Sequence, residues 1–503
     1  MRMFTTPIDV LCAFSVLAPI FYWVGIKTGL RKLVDFWATL GFAVSLYALY
    51  VDHLRVEARS PVLITVANAL PLTSSIFVID TLGVFMATLF IVVGLLTSVY
   101  SIRYMERDTR LTEYYILLML MVAGMLGVAF AGDFLTFFVF WEMMCISSYV
   151  LVAFRNDQWE PVEAGFKYLL MSATGSVMIL FAMSILYGMA GTLNFAYLRL
   201  IVSKAPSNGW SMMAMAFIIV GFGIKAAIAP LHTWLPDAHP AAPSSISAML
   251  SGVVIKAGAY ALMRSLLLIF APQAYNWQIA LAVLAVVTMT VGNLMALLQS
   301  DLKRLLAFSS VAQMGYIVFG ISLATSFGLT GSLFHIMNHS IMKSLLFLCS
   351  GAFLYAVESR NLEELAGIGR TMKITGVMFV IGCLSIAGIP PFNGFQSELM
   401  ILLAGIETGE RAVVWYVFSA IMLLNVLFSV AYYLRLIQTL ILKEPTGVAL
   451  KAKEVPVGML LPMGILAVLC VVIGIYPDPF VSFSNSAAKA VLDAGQYISA
   501  VVK

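Results

Sequence analysis

The chain has 503 residues, of which 61% are hydrophobic and 11% are charged, and its mean hydropathy is +0.98. Soluble domains carry about 25% charged residues, so this composition excludes a soluble protein and indicates that most of the surface faces lipid. The net charge of +4 leaves no basic surface for nucleic acid. The five cysteines lie far apart, with no C-x-x-C pair, which excludes a disulfide scaffold and a cysteine-bound metal cluster.

Apolar segments long enough to cross a membrane follow one another along the whole chain. A membrane-spanning helix needs about 20 mostly apolar residues, and fourteen segments of this kind predict an all-α polytopic membrane protein. They are residues 7–25, 33–51, 74–101, 113–131, 134–154, 164–189, 211–232, 243–270, 276–299, 304–324, 327–356, 373–404, 412–440 and 457–476. The tail, 479–503, has mixed polarity and is predicted to be amphipathic.

Two of these spans contain helix breakers. Pro230 interrupts the seventh span, and Pro390 with Pro391 interrupts the twelfth. Proline removes a backbone donor and clashes with the preceding helical turn. Such a break is tolerated at membrane depth only where protein or a water-filled cavity covers it, so both spans are predicted to be broken helices at a functional position.

Lysine and arginine are distributed unevenly between alternate loops. Numbered from the N-terminus, the odd loops contain 17 of these residues, including Arg155 and Lys303, whereas the even loops contain six, including Arg264. The positive-inside rule then predicts that the odd loops are cytoplasmic and that both termini lie outside.

Five ionisable side chains are predicted to lie within spans: Glu142, Lys225, Lys256, Lys343 and Glu398. A charged group at the bilayer centre costs about 2.5–3.5 kcal/mol on insertion scales. Five such groups are therefore too costly to be incidental, and we expect them to have partners and a function.

Histidines extend this set. His335, His339 and Lys343 are spaced by four residues, so they share one face of a helix, and His232 follows Lys225 by seven residues. Histidine titrates near neutral pH, whereas arginine stays charged. We interpret the set as a proton pathway, which comprises Glu142, Lys225, His232, Lys256, His335, His339, Lys343 and Glu398.

Each of these residues also has a purely structural interpretation. Lys256 could be a snorkelling residue at a span end, and His335 could hydrogen-bond a backbone carbonyl. Glu142 and Glu398 could form structural ion pairs, in a scaffold whose buried charges only fix helix register. The H-x-x-x-H spacing also suits a metal, but no third ligand accompanies it. We predict no metal, no cofactor and no catalytic centre in this chain.

Four segments resemble one protein family. They are Trp141-Glu142, the stretch KAAIAPLHTWLPDAHPAAPS that begins at Lys225, the stretch HIMNHSIMKSLLFL that begins at His335, and the stretch AGIPPFNGF that begins at Ala387. They are similar to the signatures of the antiporter-like membrane subunits. That family includes the NuoL, NuoM and NuoN types of respiratory complex I, the D-type component of Mrp sodium/proton antiporters, and subunits of membrane-bound hydrogenases. The resemblance covers residues 75–440.

The resemblance implies an architecture of fourteen helices with two inverted five-helix repeats, formed by the fourth to eighth and the ninth to thirteenth helices. The seventh and twelfth helices are the broken ones. The corresponding divisions are 1–112 for the first three helices, 113–270 and 271–440 for the two repeats, and 441–503 for the last helix and the tail.

The resemblance also implies roles along the pathway. Glu142 would pair with Lys225, Lys256 would connect the two half-channels through His335, His339 and Lys343, and Glu398 would be the last group on the exit side.

The implied function is proton translocation by a subunit of a multisubunit redox-driven complex in the prokaryotic plasma membrane. Its partners would be other membrane subunits, lipid and protons, with sodium as an alternative ion. NuoM-like and some hydrogenase-type subunits have glutamate at the position of Glu398, whereas many Mrp, NuoL and NuoN subunits have lysine, and this favours a redox complex. The alternative is a D-type component of an Mrp sodium/proton antiporter.

Overall fold

The computed structural model describes residues 6–30, 32–59, 61–67, 75–204 and 208–502. The first half contains α1 (Pro7–Thr28), α2 (Leu33–Arg59), β1 (Val62–Ala67), β2 (Ser75–Ile79), α3 (Thr81–Tyr104), α4 (Leu111–Phe130), α5 (Phe134–Val152), α6 (Trp159–Ala190), α7 (Phe195–Lys204), α8 (Gly209–Lys225), α9 (Trp234–Ala241), α10 (Ser244–Met249) and α11 (Ile255–Leu268). A π-helical turn, Leu250–Val254, joins α10 to α11.

The second half continues with α12 (Pro272–Tyr275), α13 (Trp277–Leu297), α14 (Leu302–Ser322), α15 (Ser326–Val357), α16 (Ile368–Thr371), α17 (Lys373–Ile386), α18 (Asn393–Gly409), α19 (Val414–Ile437), α20 (Val457–Ile475), α21 (Asp478–Leu492) and α22 (Ala494–Val501). A second π-helical turn, Gln438–Leu442, extends α19. The predicted amphipathic tail thus forms α21 and α22, and its residue 503 lies outside the described residues.

The predicted fold class is confirmed. Twelve helices of the described chain are long and apolar enough to cross a membrane. Two shorter apolar helices, α8 and α17, each begin a predicted broken span and are followed by α9 and α18. These two interrupted spans bring the described part of the chain to the predicted number of fourteen.

The segment before α3 differs from the prediction. The third predicted span begins at residue 74, which lies outside the described residues, but Ser75–Ile79 form β2, antiparallel to β1. The helix begins only at Thr81, where the Asp80 side chain accepts a hydrogen bond from the Gly83 amide at 2.7 Å. β-Branched and aromatic residues such as Ile76, Phe77 and Val78 favour strands, so an apolar run alone did not distinguish strand from helix.

The two broken spans have the same backbone hydrogen bonds. In the first break, Ala226 N donates to Phe222 O, Ala227 N to Ile224 O and Ile228 N to Gly223 O. In the second break, Ala387 N donates to Cys383 O, Gly388 N to Ser385 O and Ile389 N to Leu384 O. Every counterpart lies 161 positions later in the chain. The Ala229-Pro230 and Pro390-Pro391 peptides are cis in both breaks. The backbone groups near each break are thus satisfied locally, which makes a broken helix tolerable in a membrane.

A second pair of matching contacts occurs where α5 and α14 begin. The Phe134 amide donates to Leu193 O and the Phe195 amide to Gly132 O; likewise the Leu302 amide donates to Arg360 O and the Leu362 amide to Ser300 O. Asp133 and Asp301 cap the two helices. The two helices differ in that α5 starts in an even loop and α14 in an odd one.

Close backbone packing brings the eighth span against the break in the seventh. A Cβ added at Gly258 would lie 2.5 Å from Ala226 N and 3.0 Å from the Lys225 carbonyl carbon.

We expect Gly258→Ala to lower the free energy of unfolding by about 1–3 kcal/mol, since backbone atoms must move to make room. Thermal unfolding in detergent would measure this. Gly188→Ala, in α6 with nothing within 4 Å, is the control and should lose nothing; equal melting temperatures would contradict the packing.

Candidate functional site

The structure buries most of the predicted pathway. Lys225, Lys256, His335, His339, Lys343 and Glu398 are each exposed by 5% or less, while Glu142 and His232 are partly buried. Lys256 is fully buried, which excludes a snorkelling role. No carboxylate of the described chain lies within 4.0 Å of the three lysines, so hydrogen bonds hold them in place of ion pairs.

The direct ion pair implied for Glu142 and Lys225 is not formed in this structure. Lys225 Nζ donates to Tyr168 Oη at 2.6 Å and to Ser148 Oγ at 3.2 Å, and these two hydroxyls are 2.9 Å apart. Glu142 instead accepts a hydrogen bond from Ser176 Oγ. Hydroxyl groups from α5 and α6 thus satisfy both charged groups separately.

Aromatic packing fixes this hydroxyl cluster across the break in the seventh span. The Tyr168 ring stacks on Trp234 at 4.0 Å with an interplanar angle of 5°. Trp234 Nε1 donates to Ile224 O at 2.8 Å, which ties α9 to the end of α8. Because Lys225 follows Ile224, these contacts hold the Tyr168 hydroxyl beside Lys225.

Two backbone carbonyls and a pair of serine hydroxyls lie close to both Lys256 and Lys343. Lys256 Nζ donates to Ser251 O, and Ser251 Oγ lies 2.6 Å from Ser310 Oγ. The Ser310 hydroxyl donates to Leu306 O at 2.9 Å, and the same carbonyl accepts from Lys343 Nζ at 2.8 Å. Ser251 belongs to the π-helical turn, a feature that is frequent at functional sites. Both lysines therefore donate to backbone carbonyls, and the contact between the Ser251 and Ser310 hydroxyls lies next to both carbonyls.

Tyrosines continue the network beyond Lys343. Lys343 Nζ donates to Tyr433 Oη at 3.0 Å, and Tyr433 Oη lies 2.6 Å from Ser309 Oγ. Tyr432 Oη is within 3.0 Å of both Ser309 Oγ and Asn293 Oδ1. All of these side chains are fully buried, so the polar groups of α13, α14, α15 and α19 satisfy one another inside the bundle, as buried polar groups must.

His335 connects to Glu398 through one side chain. Its Nε2 lies 2.6 Å from Gln313 Oε1 and its Nδ1 2.9 Å from Ser397 Oγ, while Gln313 Nε2 donates to Glu398 Oε1 at 3.3 Å. His335 thus binds side chains and not a backbone carbonyl, and both of its nitrogens are engaged. Within the described residues, no three His, Cys, Asp or Glu side chains converge on a metal position.

The other two predicted histidines are less well connected. Neither nitrogen of the fully buried His339 has a hydrogen-bond partner among the described residues; its ring lies 6.0 Å from that of His335. His339 lies one helical turn before Lys343 on α15, and its ring is near enough to Lys256 to interact with it electrostatically. His232 lies in the break of the seventh span, with its ring 6.4 Å from Phe308. Its Nδ1 has no hydrogen-bond partner within the part of the chain that the structure describes, so His232 is not joined to the network through that atom.

Two residues that the sequence analysis assigned to loops are buried. Arg264 is 4% exposed and forms an ion pair with Asp80 at 2.7 Å. Lys303 is 1% exposed and donates from Nζ to Ala242 O at 2.6 Å. Span edges read from hydropathy cannot separate a loop from the first or last turn of a buried helix, so both assignments were wrong.

Comparisons with known proteins agree with this architecture. Residues 131–424 match the family model described as NADH:quinone oxidoreductase/Mrp antiporter, TM, and residues 69–115 match that of the complex I chain 5 N-terminus. The N subunit of the F(420)H(2) dehydrogenase of Methanosarcina mazei is 30% identical over 424 residues, which cover 82% of this chain and 85% of that protein.

Two solved structures cover nearly the whole chain. A chain of an archaeal membrane-bound sulfane sulfur reductase is similar with a TM-score of 0.88 and 29% identity, over 98% of this chain and 99% of that chain. A chain of the Mrp complex from Dietzia sp. is similar with a TM-score of 0.87 and 26% identity, over the same shares. Both relatives come from multisubunit membrane complexes. The chain therefore belongs to the family of antiporter-like membrane subunits that NADH:quinone oxidoreductases share with Mrp antiporters.

Proposed function

We propose that this subunit translocates protons within a multisubunit redox-driven complex of the prokaryotic plasma membrane. The observation that carries the proposal is that Lys225, Lys256 and Lys343 are buried among serine and tyrosine residues, with no carboxylate of the described chain within 4.0 Å of them. Amine and hydroxyl groups can both donate and accept protons during transfer. Such groups are costly inside a membrane protein.

The separation of Glu142 from Lys225 suggests how the pathway is switched. Two unit charges 4 Å apart interact by about 4 kcal/mol at an effective dielectric of ~20, which corresponds to a roughly 1,000-fold change in a protonation equilibrium. When Glu142 approaches Lys225, the pair holds the proton on the lysine. When the pair opens, as in this structure, the hydroxyls of Ser148 and Tyr168 are left to bind Lys225, and its proton can move towards Lys256.

The contacts of His335 with Gln313 and Glu398 provide the exit side of the proton pathway. A proton that reaches Lys343 can pass by way of water to His335 and then to Glu398, and Gln313 holds these two groups in place, because it accepts from His335 Nε2 and donates to Glu398 Oε1. Gly388 supports this end, because the Glu398 carboxylate occupies the space where a Cβ would be. Its φ of 67° also favours glycine, although the matching residue of the first break is Ala227, with a φ of 55°.

The two halves of the pathway belong to inverted repeats in this proposal. The ranges 113–270 and 271–440 contain the matching breaks and the matching helix starts described above, with equivalent ends on opposite sides. Odd loops face the cytoplasm and both termini lie outside, in agreement with the excess of basic residues in the odd loops.

A second candidate is sodium/proton exchange in an Mrp-type antiporter. The likeness to the Mrp chain, with a TM-score of 0.87 over 98% of this chain, is as extensive as the likeness to the reductase chain. In that case the same pathway carries protons, and an opposing sodium flux supplies the driving force. Glu398, at a position where many Mrp subunits have lysine, favours the redox complex.

Loss of the Lys343 amino group tests the proposal. In membrane vesicles that contain the native complex, we expect Lys343→Met to reduce proton uptake, followed with a pH-sensitive dye, by more than about tenfold, since acid–base relays contribute about 10²–10⁴. Lys443→Met, at an exposed position, is the control and should leave uptake unchanged. Normal uptake in Lys343→Met would refute the proposal. Uptake that requires added sodium would select the antiporter.

A further inference from the structure

A polar cavity of about 870 Å³ opens among the odd-numbered loops. Its lining includes Tyr104, Arg155, Glu160, Ala242 and Arg360. These residues come from the ends of α3, α6 and α15 and from the loops after α5, α9 and α15, all on one side of the bundle. We call this cavity the vestibule. Its position on the side that the basic residues assign to the cytoplasm makes it a place where water meets the protein interior.

Ion pairs at the rim keep the vestibule polar and ordered. Arg155 binds Asp108 through two hydrogen bonds of 2.8 and 2.9 Å. Arg360 binds Glu160 at 3.0 Å and Asp301 at 3.2 Å. None of these three carboxylates forms an ion pair with Lys303, although Asp301 precedes it by only two residues.

The inner wall of the vestibule ends at Lys303. Ala242 lines the cavity, and its carbonyl accepts the hydrogen bond from Lys303 Nζ at 2.6 Å. Lys303 is 1% exposed, and no ion pair to it occurs within the residues that the structure describes. The charges that act on it are those of Arg360, Asp301, Arg155 and Glu160. A buried ammonium without a carboxylate partner costs several kcal/mol, which is a high cost for a residue whose only task is to bind one carbonyl.

His239 is the next buried ionisable group near Lys303. It is fully buried, and neither ring nitrogen has a hydrogen-bond partner in the described chain. The ring stacks on Phe347 at 4.4 Å, one helical turn after Lys343, and His239 precedes by three residues Ala242, whose carbonyl binds Lys303. His239 therefore lies close both to the lysine at the vestibule wall and to Lys343 of the pathway.

We propose that Lys303 is the relay that passes protons from the vestibule to His239, and thence to Lys256 and Lys343. The neutral Lys303 amine takes a proton from vestibule water, the ammonium leaves Ala242 O, and the proton moves to one nitrogen of His239. Loss of a proton from the other nitrogen towards Lys256 restores the imidazole. This relay rests on the proposed function, for which it supplies the uptake side.

The test compares three variants of the native complex in vesicles. Lys303→Arg keeps a positive charge and a donor for Ala242 O but cannot release a proton; we expect proton uptake to fall more than tenfold, with the subunits still co-purifying. His239→Gln, which keeps hydrogen-bonding capacity, should show a similar loss. Arg304→Met, at the exposed neighbouring position, should stay within twofold of the unmodified complex.

Several outcomes would overturn the relay. Normal uptake by Lys303→Arg would reduce Lys303 to a structural residue, and normal uptake by His239→Gln would break the route to Lys256. If either occurred while Lys343→Met still failed to pump, the relay would fall and the proposed function would stand. If Lys343→Met pumped as well, the proposed function itself would fall.

Chemical labelling of a residue in the vestibule provides a second test, which needs no lysine substitution. Gln158 lines the cavity and is exposed, whereas four of the five natural cysteines are buried. We expect Gln158→Cys to react with a bulky, membrane-impermeant thiol reagent from the cytoplasmic side only, and the modified complex to lose uptake. Reaction from the opposite side, or full uptake after complete modification, would exclude the vestibule as the inlet.

Discussion

Lys225→Ala is expected to abolish proton translocation, with a fall of at least about 100-fold, while the complex still assembles. The substitution removes the amine bound to the Ser148 and Tyr168 hydroxyls, and relays of this kind contribute about 10²–10⁴. Dye-monitored proton uptake in vesicles measures the effect, and co-purification of the partner subunits measures assembly.

Tyr168→Phe is the graded control for this experiment. It keeps the stack on Trp234 but removes the hydroxyl, so we expect a smaller loss than in Lys225→Ala. If Lys225→Ala pumped at the normal rate, the hydroxyl cluster would have no part in proton transfer.

Asp80→Ala is expected to destabilise the protein by about 3–5 kcal/mol, because it leaves the Arg264 charge buried without a partner. The two side chains are 4% exposed and 2.7 Å apart, and they join the start of α3 to α11. The midpoint of thermal unfolding in detergent measures the loss.

Two further variants separate the charge from other effects. Asp80→Asn keeps an acceptor for the Gly83 amide that Asp80 caps, so its remaining loss reports the missing charge. Glu163→Ala breaks an ion pair with Lys167 in which the two side chains are 46% and 50% exposed, and it should cost less than about 1 kcal/mol. A loss below about 1 kcal/mol in Asp80→Ala would show that the pair contributes no more than an exposed one.

Much of the fold could be predicted from the sequence because lipid imposes long apolar segments. The α20 helix, Val457–Ile475, nearly coincides with the predicted span 457–476, and Pro230 and Pro390 marked both broken helices. The β1–β2 hairpin could not be recognised, since its apolar residues also suit a span. Hydropathy also does not show that a charged residue at a helix end is buried, as Lys303 is at the start of α14.

The site was only half predictable for a related reason. Lysine and glutamate are rare in apolar segments, so Lys225, Lys256, Lys343 and Glu398 stood out. Their partners are serines, tyrosines and carbonyls, such as Tyr168, Ser310 and Leu306 O, and these groups occur in every span. Only tertiary packing distinguishes those that bind an amine from those that do not, which is why the hydroxyls that bind Lys225 were not predicted.

The π-helical turn before Lys256 contains one residue more than an α-helical turn would. A helix advances about 100° per residue, so removal of one residue elsewhere in the eighth span would rotate Lys256 by about that angle relative to α10. Removal of one residue from Leu250–Val254 would instead convert the π turn into an α turn and leave Lys256 pointing in nearly the same direction. An engineered eighth span can therefore be shortened by one residue only within Leu250–Val254.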